Sequence, residues 1–367
     1  MKIGVMTIHN IKNYGSLLQA YAAVTILTRL RHVVEVIDFS MTPKNMSIVG
    51  KLLWGGNRVA LWIFGIHHQV KVADAEFKSF MVKNIPLSPC FAGKQALTKL
   101  SKTYDCVVAG SDQIWHPRCI DTDLSFLLNF VSPPLKKISF SSSFGVKNLS
   151  EKQSKIYARE LKTFDAISVR EKSAQELVRI LTGRNAFVIL DPTLLLSGDE
   201  WRKLASTACE SIPYILIYGS MSNKGSIMEK VALRIQKRTG WRILRIHGKA
   251  YHVFSRKVKY LFNVGPCDFL SLFQNASLVL ANSFHGTAFA INFNRPFFSF
   301  YPKEGDLGVR QKHILELLHL KRQAVELPLK NITESDAWEL SVDYSQANQM
   351  LNKCRMDSIR WLNDALS

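Results

Sequence analysis

The side chains best suited to chemistry sit in residues 278–301, LVLANSFHGTAFAINFNRPFFSFY. His285 lies there between Ser283 and Gly286, just after the apolar run Leu278 to Ala281. An imidazole can give or take a proton near neutral pH, which suits it to general acid–base work. The unbroken apolar run reads as a strand buried on both faces of a parallel sheet. Residues 287–293 then read as a helix, and 297–301 as the next strand. His285 therefore falls at a strand's carboxyl end, beside a helix N-terminus. Open α/β sheets bind ligands at that corner, and helix N-termini offer free N–H groups to anions.

Two guanidinium groups occupy comparable places. Arg170 follows the short strand AISV at 166–169 and precedes a helix at 173–181. It is placed to hold an anion, with Glu171 as its neighbour; an ordinary surface ion pair is the competing reading. Arg310 falls in the first turn of a helix at 309–320, where a cation opposes the helix dipole unless an anion faces it. A solvated basic turn fits that position equally well. A fourth group, Gly110-Ser111-Asp112-Gln113-Ile114-Trp115, follows the strand YDCVVA at 104–109. Gly110 would admit a ligand to the backbone, Asp112 and Gln113 can bind hydroxyls, and Trp115 can stack on a sugar face. An Asp in such a loop can also simply cap the next turn. Asn13, Tyr14 and Gly15 lie after the first strand, in a tight turn or a ligand loop.

Strands alternating with amphipathic helices must place these groups. A strand at 2–8, a helix at 16–30 and a strand at 33–39 open the chain as a doubly wound α/β domain. Gly4 and Gly15 do not make a dinucleotide fingerprint. A similar alternation restarts at Tyr214 and ends in a helix at 348–366. The length of 367 residues suits two domains. Their bounds are expected at 1–195 and 212–345, with 346–367 packing back on the first. Asp191-Pro192-Thr193 reads as a sharp turn before the crossing.

Composition narrows the class. With 48 Lys and Arg against 29 acids, the formal charge is +19, which points to an anionic partner. Basic residues are scattered over both halves and no nucleic-acid-binding signature appears, so no nucleic acid is expected as partner. The six cysteines are dispersed without a CxxC pair, so no metal is expected and a reducing cytoplasm is the default. The stretch 48–66, IVGKLLWGGNRVALWIFGI, is interrupted by Lys51, Arg58 and a Gly pair, which is poor for a spanning helix. It reads either as a helical excursion packed on the first domain or as a peripheral contact with an anionic membrane, with Trp54 and Trp62 at headgroup level.

Taken together, six segments resemble the polysaccharide pyruvyl transferases. They are NYGSLLQAYA from Asn13, GSDQIW from Gly110, SVRE from Ser168, DPTLLL from Asp191, NSFHGTAFAINFNRPFFSF from Asn282 and the helix of Arg310. The resemblance implies an α/β protein of two Rossmann-like domains facing a central cleft, GT-B-like. It implies phosphoenolpyruvate as co-substrate, no cofactor, and a glycan acceptor in bacterial surface polysaccharide biosynthesis, galactose being one candidate sugar. The product would be a pyruvate ketal, with phosphate released. His285 matches the segment carrying the family's histidine, and Arg170 and Arg310 match its arginines. Some relatives carry Arg where this chain has Phe284.

The chemistry asks for the same residue types. A donor bearing a carboxylate and a phosphate needs guanidinium groups, and protonating its methylene carbon needs an acid. His285 is then the acid or a phosphate ligand, Arg170 and Arg310 clamp the donor, and Asp112 orients or deprotonates the acceptor. Ser283, Gly286, Asn13, Tyr14, Gly110, Ser111, Gln113 and Trp115 complete the expected substrate contacts. A lipid-linked oligosaccharide as acceptor would place a basic protein at the inner face of the cytoplasmic membrane. A GT-B glycosyltransferase using a nucleotide sugar and a catalytically silent glycan-binding relative are the alternative readings.

Overall fold

The computed structural model describes residues 1–39, 62–90, 93–120, 123–207, 212–219, 223–246, 250–328 and 338–367. In chain order the elements are β1 (Lys2–Met6), α1 (Tyr14–Arg29), β2 (Val33–Val36), α2 (His67–Asn84), α3 (Lys94–Ser101), β3 (Cys106–Ala109), α4 (Pro117–Ile120), β4 (Lys136–Ser139), α5 (Glu151–Leu161), β5 (Ser168–Val169), α6 (Lys172–Thr182), β6 (Phe187–Val188) and α7 (Pro192–Leu195). There follow α8 (Gly198–Arg202), β7 (Tyr214–Tyr218), α9 (Asn223–Thr239), β8 (Arg242–Ile246), β9 (Lys259–Leu261), α10 (Pro266–Asn275), β10 (Leu278–Ala281), α11 (Phe284–Asn292), β11 (Phe297–Pro302), α12 (Val309–Leu317), β12 (Ala324–Leu327) and α13 (Ser345–Leu366).

The chain divides into two units. Among described residues the first holds 1–39, Phe80–Leu196 and Gln349–Ser367; the second holds 62–79 and Ser197–Asn348. The apolar stretch at 48–66 lies outside the described residues up to 61; its described end, 62–66, belongs to the second unit.

The first unit is built on a parallel sheet of order β2-β1-β3-β4. Bridges from Ile138 to Ala166 and from Ser142 to Val169 continue it to the pair β5-β6. After β2 the chain returns to the other side of β1, and that reversal creates a crevice at the strands' carboxyl ends. Ile3, Val5, Val107 and Val108 are wholly buried, as residues covered on both sheet faces should be. A core of Trp115, Phe126, Phe130, Phe144, Tyr157 and their neighbours fills one side. From α13, the Ser358 hydroxyl accepts from Leu190 N–H (3.1 Å) and Trp361 packs on Phe187.

The second unit carries six parallel strands in the order β12-β11-β10-β7-β8-β9. The chain runs outward from β7 to β9, then returns beside β7 as β10. Its reversal therefore lies between β7 and β10. Tyr218 and Ala281 are register partners, so both strands end level. All nine residues of α11 are buried, which is what a helix apolar on every side requires. No helix among the described residues is long and apolar enough to cross a membrane.

Candidate functional site

At the β7/β10 reversal, Gly219 and Asn282 leave their strands at the same height. Gly219 has φ +135°, and an added Cβ would stand 1.8 Å from Asn282 Oδ1. The Asn282 N–H donates to Tyr218 O at 3.2 Å, so the strand ends are stitched just where they stop pairing. Ser283 is extended and caps α11: its hydroxyl accepts from Gly286 N–H at 3.0 Å. The helix thus begins at Phe284, three residues earlier than the sequence pattern suggests, because the Ser cap and not the apolar period sets its start. Phe284, His285 and Gly286 therefore form the first turn.

His285 is 8% exposed and its ring meets Phe284 edge to face, 5.3 Å between centroids. The Arg310 guanidinium, from the first turn of α12, lies over the Phe284 ring at 5.9 Å. A cation over an aromatic face is held by the ring quadrupole. Phe284 thus braces Arg310 with its ring face and meets His285 edge to face. Gly286 has a packing role: a Cβ there would stand 2.8 Å from Tyr218 and 2.9 Å from Ala281. It lets α11 sit close on β7 and β10 rather than opening the backbone to a ligand.

In the first unit the expected ligand loops turn out to be tied to one another. Arg170 is 3% exposed; its Nη2 pairs with Asp191 Oδ2 at 2.6 Å and donates to Ser111 Oγ, and its Nη1 stands 4.0 Å from Asp112. Ser111 Oγ lies 2.9 Å from Asp191 Oδ2, and Ser16 Oγ donates to Asp112 Oδ2 at 2.6 Å. Arg170 is accordingly the hub of a buried network joining the ends of β3, β5, β6 and α1. Glu171 accepts from Ser143 Oγ at 3.0 Å. Burying a guanidinium is tolerated only where carboxylates compensate it, and Asp191 is that partner. The Asp191-Pro192-Thr193 segment, read as a sharp turn, is the start of α7, with Asp191 as its cap (Thr193 N–H, 2.8 Å).

Other residues expected to touch substrate are packed within the fold. Trp115 is fully buried, donates its indole N–H to Phe126 O at 3.0 Å and packs on Phe144 and Phe164, so its faces are core surfaces and not a sugar platform. Gly110 leaves room for Thr7, whose Cβ would stand 2.6 Å from an added Cβ. Ser111 is fully buried within the network. Tyr14, 1% exposed, is the first residue of α1, while the exposed Asn13 caps that helix by accepting from Ser16 N–H at 3.2 Å. Asp112 is buried too, 8% exposed, with Ser16 on one carboxylate oxygen. It has φ +76°, accepts from Gln113 N–H at 2.9 Å and retains a side chain 12% exposed. Gln113 is partly exposed and fills the space that Gly145 leaves open.

His9 completes the first unit's corner and had no sequence signal beyond its place after β1. It is 2% exposed, with Nδ1 3.0 Å from Thr7 O and Nε2 3.1 Å from Asp38 Oδ1. Its ring locks the end of β1 to the end of β2.

The two units thus carry different chemistry. His285, Ser283, Phe284 and Arg310 come together in the second; Asp112, Ser16, Arg170 and Asp191 come together in the first. A parallel sheet wound in both directions, in each of two units, defines a Rossmann-like α/β fold class. The model of the polysaccharide pyruvyl transferase family matches residues 13–304, and the chain belongs to that family. Its activity class is accordingly that of a transferase acting on polysaccharide.

A search of curated proteins found no match. Solved structures that resemble it include a putative UDP-N-acetylglucosamine 2-epimerase from Listeria monocytogenes, 11% identical over 96% of this chain and 94% of that one, TM-score 0.52. A UDP-GlcNAc 2-epimerase from Neisseria meningitidis is 10% identical over 99% and 100%, TM-score 0.51. An α-glucosyltransferase crystallised with UDP and DNA is 9% identical over 99% and 90%, TM-score 0.50. At such identities the likeness is one of fold, the GT-B-like architecture of glycosyltransferases and epimerases.

Proposed function

We propose that the protein transfers the enolpyruvyl group of phosphoenolpyruvate onto two hydroxyls of one glycan sugar, forming a pyruvate ketal and inorganic phosphate. The observation that carries this reading is the meeting of His285 and Arg310 around Phe284, at the start of a buried helix on the carboxyl edge of the sheet. A small polyanion suits that corner: the helix N-terminus and the guanidinium both favour negative charge.

In the reaction His285 gives a proton to the methylene carbon, which becomes the ketal's methyl group. Positive charge develops on the central carbon and is shared by its oxygens. A first sugar hydroxyl bonds to that carbon and loses its proton to a base. The bond from that carbon to the phosphate oxygen breaks, and phosphate leaves with the electron pair. The second hydroxyl then closes the ring and loses its own proton. Of the two hydroxyl protons released, one balances the proton taken up by carbon and the other leaves with phosphate. Arg310 would hold the leaving phosphate or the carboxylate, and Asp112 would orient an acceptor hydroxyl. Arg170 acts at a distance, by holding the Asp112 loop.

One incubation tests the assignment: phosphoenolpyruvate with a panel of lipid-linked and β-galactoside acceptors, reading phosphate release and product mass together. A product heavier by one pyruvate ketal, with equimolar phosphate, is expected. Transfer from a nucleotide sugar with nucleotide release would assign a glycosyltransferase instead. A bound glycan without phosphate release would assign a silent relative. His285→Ala should lower turnover about 100-fold or more; turnover near that of the unaltered protein would remove His285 from the chemistry.

A further inference from the structure

Two exposed apolar segments of the second unit meet beside its edge strand, β9. Trp62, Ile63 and Phe254 are 74%, 69% and 72% exposed. The rings of Phe64 and Phe254 pack edge to face at 5.7 Å, which joins 62–64 to 253–254 as one patch. Beneath it, Ile66 and Phe262 are buried together against Val70 and Tyr260. That small cluster is packed already, so folding does not require the outer side chains to lie together at the surface. Scattered exposed apolar residues are ordinary, whereas a contiguous group of large ones marks an interaction site.

Exposed cations border the patch, and the first acids on α2, Asp74 and Glu76, follow beyond Lys71. Lys71, Arg256, Lys257 and Lys259 are exposed, and neither 62–71 nor 250–260 contains an acidic residue. The whole chain carries +19. We propose that this patch seats the second unit on an anionic lipid surface. Trp62, Ile63 and Phe254 enter the boundary between headgroups and acyl chains, and Arg256 and Lys257 face lipid phosphates. Large aromatic and aliphatic groups rimmed by cations are the chemistry of such an interface. A protein partner would have to bring both an apolar socket and a matching row of carboxylates. The anionic leaflet offers both without a dedicated surface. This inference does not depend on pyruvyl transfer, since binding is read without turnover.

The test is co-flotation of the full chain with vesicles of phosphatidylcholine alone, or with about one-third phosphatidylglycerol. Binding to the anionic vesicles is expected, at least about tenfold tighter than to the neutral ones. The triple variant Trp62→Ser, Ile63→Ser, Phe254→Ser should lose about tenfold or more in binding while keeping its melting temperature. Arg256→Ser with Lys257→Ser should weaken binding by roughly five-fold per charge at low salt, with the difference shrinking as salt is raised. Trp62→Phe serves where the triple variant fails to fold. Lipids brominated on their acyl chains should quench tryptophan emission in the unaltered protein and markedly less in that variant. Failure of the unaltered protein to float, undiminished flotation of the folded triple variant, or equal quenching with Trp62→Phe would overturn the proposal. So would a dimer abolished by the triple variant in the absence of flotation, because the patch would then be a self-interface.

Discussion

Phe284 shows how one side chain can alter the chemistry next to it. An arginine there would add a cation to the His285 corner; the phenyl ring instead supports the cation already supplied by Arg310. A cation–π contact at a partly exposed site is worth about 0.5–1 kcal/mol. Phe284→Ala should therefore raise KM for phosphoenolpyruvate about two- to five-fold with a smaller change in kcat. Phe284→Tyr should restore KM, because a phenol keeps the ring face; steady-state kinetics on the two variants decide this. Arg170 poses the opposite case. Its pairing with Asp191 is fully buried, so Arg170→Met leaves a carboxylate without its counter-charge. Urea unfolding should show a loss of about 3–5 kcal/mol. A variant of unchanged stability but raised donor KM would return Arg170 to the role of substrate clamp. The motif SVRE singled out this arginine, but its partner Asp191 stands 21 positions away and only folding brings the two within 2.6 Å.

At the scale of elements, the second unit's corner depends on two strands ending level and one glycine between them. Gly219 adopts φ +135°, a region that side chains avoid, and faces Asn282 Oδ1. Gly219→Ala should cost on the order of 1–3 kcal/mol in chemical denaturation, and it should displace Asn282 and the Ser283 cap. Activity should then fall more than stability alone explains, because the first turn of α11 carries His285. Most of these elements were legible beforehand. The run Leu278–Ala281, the helix after it and the strand Phe297–Pro302 have the lengths and apolar patterns that buried parallel strands and a buried helix require. What the pattern misplaced was the start of α11. Asn, Ser, Phe and His break the apolar run, yet one serine hydroxyl on Gly286 N–H is enough to begin the helix there.

Across the whole molecule, buried protons set the response to alkaline pH. Burial pushes the Cys106 thiol up to about 12, and burial with the charges of Glu326 and Glu316 pushes the Tyr301 phenol up to about 12. One group lies in each unit. Both hold protons in the folded state that the unfolded chain releases at lower pH. Their contribution is therefore intact below the ordinary thiol and phenol ranges and is lost as pH rises towards 12. Lys137, whose burial lowers its proton affinity, works in the opposite direction over its own range. Unfolding midpoints in urea should fall between about pH 9 and pH 11, and Cys106→Ala should flatten that fall. A flat profile in the unaltered protein would mean that these groups open to solvent before the fold does.

The amino-acid sequence by itself determined the class of the protein. Alternation of buried strands and helices, a restart near Tyr214, and six short motifs in order depend on local periodicity and residue type, which neighbours along the chain can specify. It also placed Arg310 in the first turn of a helix and His285 in the loop ahead of one. Only the tertiary structure decided what those residues face. Trp115, Gly110 and Ser111 had the types that bind sugars, but they fill the core because their partners Phe144, Thr7 and Asp191 come from distant segments. Burial and charge pairing depend on which strands lie side by side, and that is settled by closing the sheet rather than by spacing along the chain.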